Sequence, residues 1–128
     1  MSANDHAFAH DLAENVTETL RGYRMAQTTE RALQDSIAEV LHHRGFSFQR
    51  EARLSARDRP DFLITPGICL EVKTQGPASE VRRQLERYAE SPDVAVVLLV
   101  TTNPLHEIMP DMMAGKPVMV LCLGGAFL

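Results

Sequence analysis

The stretch Arg59-Pro60-Asp61-Phe62-Leu63-Ile64, followed after a Pro66-Gly67 turn by Leu70-Glu71-Val72-Lys73, decides the fold. Both runs are short and apolar, and the side chains of a β-strand alternate between its faces. In the second run Glu71 and Lys73 therefore share one face, while Ile68, Leu70 and Val72 take the other. In the first, Asp61 and Leu63 share a face opposite Phe62 and Ile64. A hairpin that sets Asp61 beside Glu71 and Lys73 makes a small acidic pocket with one cation in it. Two readings of these charges stand side by side. One is the wet side of an edge hairpin. The other is a site for a divalent metal and a water, next to a group that holds a phosphate oxygen. Both runs are otherwise apolar on both faces, which marks a buried sheet. Asp, Glu and Lys are rare in such a place unless paired or bound to metal.

Outward from this hairpin, strands and helices alternate. Phe46 and Phe48, with Leu54, mark a preceding strand, and the polar residues 55–59 make a turn. Residues 29–44 form the clearest helix: Thr28 or Thr29 caps it, Gly45 stops it, and Leu33, Ile37, Val40 and Leu41 are its buried stripe. Glu30 lies seven residues before Ile37 and so on that stripe, and Gln34 shares the face. Glu30 reads either as a carboxylate of the site or as a solvated residue favoured by the helix dipole. After the hairpin, Gly76-Pro77 opens a helix to about Glu90 with Val81, Leu85 and Tyr88 as its apolar face. Gln84 and Tyr88 are neighbours one turn apart, and Arg82, Arg83 and Arg87 give a basic face. Val94 to Val100 is a continuous apolar run, the pattern of a central buried strand. Residues 105–116 read as a short helix or loop and Val118 to Leu123 as a last strand, with Gly124-Gly125 ending order before a short apolar tail.

At the other end, residues 5–22 read as an amphipathic helix capped by Asn4 or Asp5 and ended by Gly22. Phe8, Leu12, Val16 and Leu20 recur every four positions and form a stripe for the core or for a second subunit. The expected organisation is an α/β domain over residues 28–128, a central mixed sheet flanked by helices, with an N-terminal helical extension over residues 1–27.

A chain of 128 residues is one domain by size and buries a core without disulfides. Its 45% apolar and 23% charged content is that of a soluble globular protein. No Arg-rich leader, signal-peptide pattern or bilayer-length apolar run is found, so the expectation is a cytoplasmic protein with no membrane contact. Cys69 and Cys122 lie in apolar runs and read as reduced packing residues.

The net charge of −4 argues at first against nucleic acid, but its distribution does not. Residues 44–87 hold nine Lys or Arg against six Asp or Glu, whereas residues 1–43 hold three against seven and residues 88–128 one against four. The positive charge travels with the hairpin. Eleven of the thirteen basic residues are Arg, and Lys73 is one of only two Lys. Lys is a compact point charge whose pKa shifts readily, unlike the planar guanidinium, so a Lys kept at this position suggests a chemical reason.

Pro60-Asp61, a short gap, then Glu71-Val72-Lys73 resembles the signature of the PD-(D/E)xK nuclease superfamily, the restriction-endonuclease-like fold. The helix carrying Glu30-Arg31-Ala32-Leu33 before the hairpin is similar to that of the Holliday junction resolvase branch. The helix carrying Gln84-Leu85-Glu86-Arg87-Tyr88 after it looks like the Gln-x-x-x-Tyr motif of the exonuclease branch. The ordered set covers about residues 28–103 and is far more specific than any one motif.

The resemblance implies metal-dependent hydrolysis of phosphodiester bonds in DNA, by an endonuclease, with an exonuclease or a non-catalytic binding module of the same fold as alternatives. It implies Mg²⁺ or Mn²⁺ held by Asp61 and Glu71, with the backbone carbonyl of Val72 and with Glu30 completing the acidic cluster. Lys73 would hold or deprotonate the attacking water. Gln84 and Tyr88 would orient the DNA backbone or a site residue, and Arg53, Arg59, Arg83 and Arg87 would contact phosphates. At this size a homodimer, or a protein partner that supplies specificity, is expected.

Overall fold

Why the hairpin sits where it does follows from the strand that carries Glu71. In a computed structural model, which describes residues 1–123, the chain forms α1 (Ala3–Arg21), α2 (Glu30–His43), β1 (Phe48–Arg50), β2 (Phe62–Ile64), β3 (Ile68–Lys73), α3 (Ala78–Ala89), β4 (Val96–Thr101), a 3₁₀ turn at Pro104–Glu107, β5 (Met112–Met113) and β6 (Lys116–Cys122). The six strands make one mixed sheet in the order β1-β2-β3-β4-β6-β5. β3 and β4 are central, and every residue of the two is buried except Lys73. That is why both read as nearly unbroken apolar runs. β1, β2 and β3 pair antiparallel, whereas β3, β4 and β6 pair parallel. A parallel neighbour needs a crossover, and α3 supplies it between β3 and β4.

The two faces of the sheet are covered separately. Ile64, Ile68, Leu70, Val72, Leu98 and Val100 face α1 and α2, whose Val16, Leu20, Leu33, Ile37 and Leu41 join the same cluster. Cys69, Val97 and Leu99 face α3 and pack on Val81, Leu85 and Tyr88. Burying side chains of this size stabilises by roughly 1.5–3 kcal/mol each. Glu71, 3% exposed, shares the α3-facing side of β3 with Cys69 and Lys73.

Several details differ from the sequence-based expectations for physical reasons. α1 begins earlier, because Ser2 caps it: its hydroxyl accepts from the Asp5 amide, and the Asp5 carboxylate accepts from the Ser2 amide, a capping box. Its buried stripe is Ala9, Ala13, Val16 and Leu20, while Phe8 is 59% exposed. A strict four-residue repeat drifts about 40° around a helix at each step, so Phe8 rotates out of the face that Val16 and Leu20 define. Small residues at Ala9 and Ala13 let the helix lie close to its neighbours. α1 thus packs into the same core as α2 and the sheet.

β1 is only three residues and stops before Glu51, which has a φ of 51°. The segment 105–116 divides into the 3₁₀ turn and β5, and β5 joins β6 through Ala114-Gly115, with φ of 50° and 76°. Positive φ at both central residues is the two-residue hairpin geometry that matches strand twist. β6 begins at Lys116, two residues before the expected start, as the return arm of that hairpin. Gly124-Gly125 and the apolar tail lie outside the described residues. No helix among the described residues is long and apolar enough to cross a membrane.

Candidate functional site

The register of β2 on β3 fixes the site. Phe62 pairs with Leu70 and Leu63 with Cys69, so the next step along β2 brings Asp61 beside Glu71. The pairing is made by side chains as well as by strands. The Asp61 amide donates to Glu71 Oε1 at 3.0 Å, and the Val72 amide donates to Asp61 Oδ2 at 2.8 Å. The N–H and C=O of one strand residue point to the same edge, so the Val72 carbonyl faces the Asp61 side, while the Val72 side chain is in the core. From α2, Gln34 Nε2 donates to Asp61 Oδ1 at 3.2 Å. Lys73 Nζ stands 3.4 Å from Glu71 Oε2.

This is an electrostatically strained group. Burial pushes the Glu71 carboxyl up to about 8, and the neighbouring Asp61 charge adds to the rise despite the opposing pull of Lys73. Burial also raises Asp61, against the hydrogen bond from Val72 that favours its charged form. Two carboxyls share a site with one ammonium. All candidate ligand atoms are carboxylate or carbonyl oxygens, the donor set that suits Mg²⁺ or Mn²⁺.

Glu30 stands at the edge of this group. Its Oε1 accepts from the Thr74 amide at 3.0 Å and from the Thr74 hydroxyl at 3.4 Å, just beyond Lys73. Its charge is close enough to help raise Asp61. The ligand atoms of Glu30, Asp61 and Glu71 do not all come within 4.8 Å of one another, so Glu30 braces the end of β3 and is not a third member of a closed cluster. His10, Asp11 and Glu14 on α1 do come that close, where a 3.1 Å contact joins His10 to Glu14. That turn of α1 contributes nothing to the Asp61–Glu71 site.

Beyond Lys73 lies a cleft of about 320 Å³, lined by Lys73, Gln75, Gly76, Pro77, Glu80, Val81, Arg83, Gln84 and Arg87. Lys73 is thus common to the acidic pair and to the cleft. Gln84 Nε2 donates to the hydroxyl of Tyr88 at 2.9 Å. Tyr88 is 2% exposed, and burial, then the Glu71 charge, raises its hydroxyl well above the ordinary value. Arg83 is exposed, and Arg87 is tied to Asp58 at 3.1 Å. Arg53 donates to the Ala56 carbonyl at 3.0 Å within the loop before β2, and Arg59 is exposed in the same loop. Arg50 is engaged with Asp35 at 2.9 Å. The structure therefore brings Asp61, Glu71, Lys73, Gln84, Arg83 and Arg87 to the α3 side of the sheet, while Val72 offers only its main chain and turns its side chain to the other face. The structure leaves Arg53 and Arg59 on a loop that reaches the α3 side through Asp58.

Gln34, read from sequence as sharing the Glu30 face and able to line the same pocket, reaches Asp61. Two contributors escaped the sequence reading as site residues. Thr74 gave no signal. Asp58 belongs to a turn closed by Ser55, whose hydroxyl donates to its carboxylate at 3.2 Å, and that Ser-x-x-Asp spacing is its one sequence signal.

Comparison of the chain with protein-family models, with curated proteins and with solved structures gives no match.

Proposed function

We propose that the protein is a metal-dependent nuclease that hydrolyses phosphodiester bonds in DNA as an endonuclease, in the manner its resemblance to the PD-(D/E)xK superfamily implies. The observation that carries this reading is the buried pair Asp61 and Glu71, clasped by main-chain amides, with the Lys73 ammonium 3.4 Å from one of its oxygens. A structural ion pair needs one carboxylate for one ammonium. Here a second, partly buried carboxyl is held in place, and both resist ionisation. Perturbed acids gathered beside a cleft are the mark of a functional site.

Asp61 and Glu71 would hold Mg²⁺ or Mn²⁺, with the Val72 carbonyl on the same edge. The bound ion would lower the pKa of a water and neutralise charge on the phosphate. The chain's own groups do the rest. Gln34 and the Val72 amide fix the Asp61 carboxylate, so its oxygens need no reorganisation. Glu30 anchors Thr74 and so the end of the strand that carries Lys73. Lys73 holds the attacking water or donates to a phosphate oxygen as charge grows there. Arg83 and Arg87 line the cleft and seat the backbone of the strand without reading sequence.

A second reading, an exonuclease that trims ends, is favoured by one observation: Gln84, bonded to buried Tyr88, lines the cleft next to Lys73. The test is cleavage of labelled single strand, linear duplex, closed circle and four-way junction with Mg²⁺, Mn²⁺ or EDTA. Cutting of the closed circle supports the endonuclease, and loss confined to ends supports the second reading. Lys73→Ala should lower the rate about a hundredfold or more. A folded protein that cuts none of these DNAs with either metal overturns the proposal.

A further inference from the structure

His106 is fully buried, yet nothing in the acidic site uses it. It sits in the 3₁₀ turn after β4 and reaches two other segments. Nε2 is 2.8 Å from the Gly76 carbonyl, and Nδ1 is 2.8 Å from the Thr101 hydroxyl. A carbonyl only accepts, so Nε2 carries a proton and donates to Gly76. The Thr101 oxygen already accepts from the Asn103 amide at 3.0 Å, which leaves its own proton for Nδ1. Both ring nitrogens are thereby partnered.

The two ends of this bridge bear on the site. Gly76 lines the cleft beside Lys73 and has a φ of 102°, a conformation open essentially to glycine alone. Thr101 is the register partner of Lys73 on the neighbouring strand, and the Thr102 amide donates to the Lys73 carbonyl at 3.3 Å. The imidazole is therefore a strut between the loop that leaves β3 and the end of β4 that lies beside Lys73.

We propose that His106 is a positioning residue for the cleft: it fixes the Gly76 loop against Thr101 and so sets the space in which a DNA strand meets Lys73. This rests on the nuclease reading above.

Two substitutions separate positioning from plain stability. Gln carries an amide N–H where Nε2 stands and keeps the bond to Gly76; Asn can set its amide oxygen where Nδ1 stands, accept from the Thr101 hydroxyl and keep only that bond. Each loses one buried hydrogen bond, so His106→Gln and His106→Asn should lower Tm to a similar degree. Only His106→Asn should speed amide hydrogen exchange at Gln75 and Gly76. In metal-free binding of a fluorescein-labelled single strand it should raise Kd about tenfold, and in cleavage it should raise KM with kcat nearly unchanged. Equal exchange or equal Kd in the two variants overturns the proposal. If the wild-type chain neither binds nor cuts DNA, the nuclease reading fails and the claim about a DNA strand falls with it. Wild-type cutting with indistinguishable variants sinks the strut alone.

Discussion

Asp61 and Glu71 clasp each other across the β2–β3 hairpin: the Asp61 amide donates to the Glu71 carboxylate at 3.0 Å, while the Asp61 carboxylate accepts from the residue that follows Glu71. Each acid is thus held by the main chain of the other's strand. The geometry forces two carboxyls together where water is scarce, and the energetic consequences are measurable without any substrate.

The first is pH dependence of stability. Glu71 has a folded-state pKa of about 8, above its ordinary 4.5, and Asp61 is raised as well. A raised acid binds its proton more tightly in the folded state, so the stability it contributes is complete below the unfolded value and lost as pH rises through the folded one. In EDTA, Tm should fall from about pH 4.5 to about pH 8 and level off above. Glu71→Gln, which cannot ionise, should flatten most of this slope and be more stable than the wild type at pH 8.5. A wild-type Tm that rises across this window would contradict the clasped pair.

Divalent metal should reverse that loss. An ion that binds only the folded state stabilises by mass action, about 2.7 kcal/mol at a hundredfold excess over Kd. Its ligands must be deprotonated, so the gain in Tm with Mg²⁺ or Mn²⁺ should be larger at pH 8.5 than at pH 5.5. Asp61→Asn combined with Glu71→Gln should remove it. A metal-induced shift that survives this double substitution moves the ion elsewhere, with His10, Asp11 and Glu14 the next group to test.

Arg83 and Arg87 line the same cleft but should behave differently. Arg83 is exposed, and Arg83→Ala should weaken DNA binding uniformly across sequences and lower the salt slope by about one. Arg87 also neutralises Asp58, whose side chain is only 13% exposed. Arg87→Ala would therefore remove the proposed phosphate contact and leave a shielded carboxylate next to the cleft. Its loss of affinity should exceed that of Arg83→Ala, and Asp58→Asn should restore part of it in the double variant. Fluorescence anisotropy against salt concentration reads both. Equal losses, with no rescue, would mean that Asp58 has no influence on the cleft.

The hairpin, the two central strands, α2 and α3 were legible because their signals are local. Alternation put Glu71 and Lys73 on one face, a hairpin could bring Asp61 beside them, and the unbroken run from Val94 marked a buried strand. What stayed hidden depends on partners distant in the chain. Gln34 and Asp61 are 27 residues apart, Glu30 and Thr74 are 44 apart, and Arg87 and Asp58 are 29 apart. No periodicity carries such pairs. The same limit explains α1: the sequence shows a stripe but not which turn of the helix meets the sheet, and Ala9 and Ala13 look unremarkable until a neighbour is pressed against them.

α1 supplies the last test, because residues 1–27 read from sequence as an extension yet bury Ala9, Ala13, Val16 and Leu20 in the core shared with α2 and β3. Ala13 is 0% exposed, and a larger side chain has nowhere to go; Ala13→Leu should destabilise by about 1–3 kcal/mol through overpacking. Phe8 is a far larger apolar residue on the same helix but is 59% exposed, so Phe8→Ser should change stability by no more than about 0.5 kcal/mol. Urea denaturation of the two variants decides between a helix built into the fold and a detachable one. If α1 is detachable, both substitutions leave the transition unmoved. If the stripe is the one with a strict four-residue repeat, Phe8→Ser is the costly change.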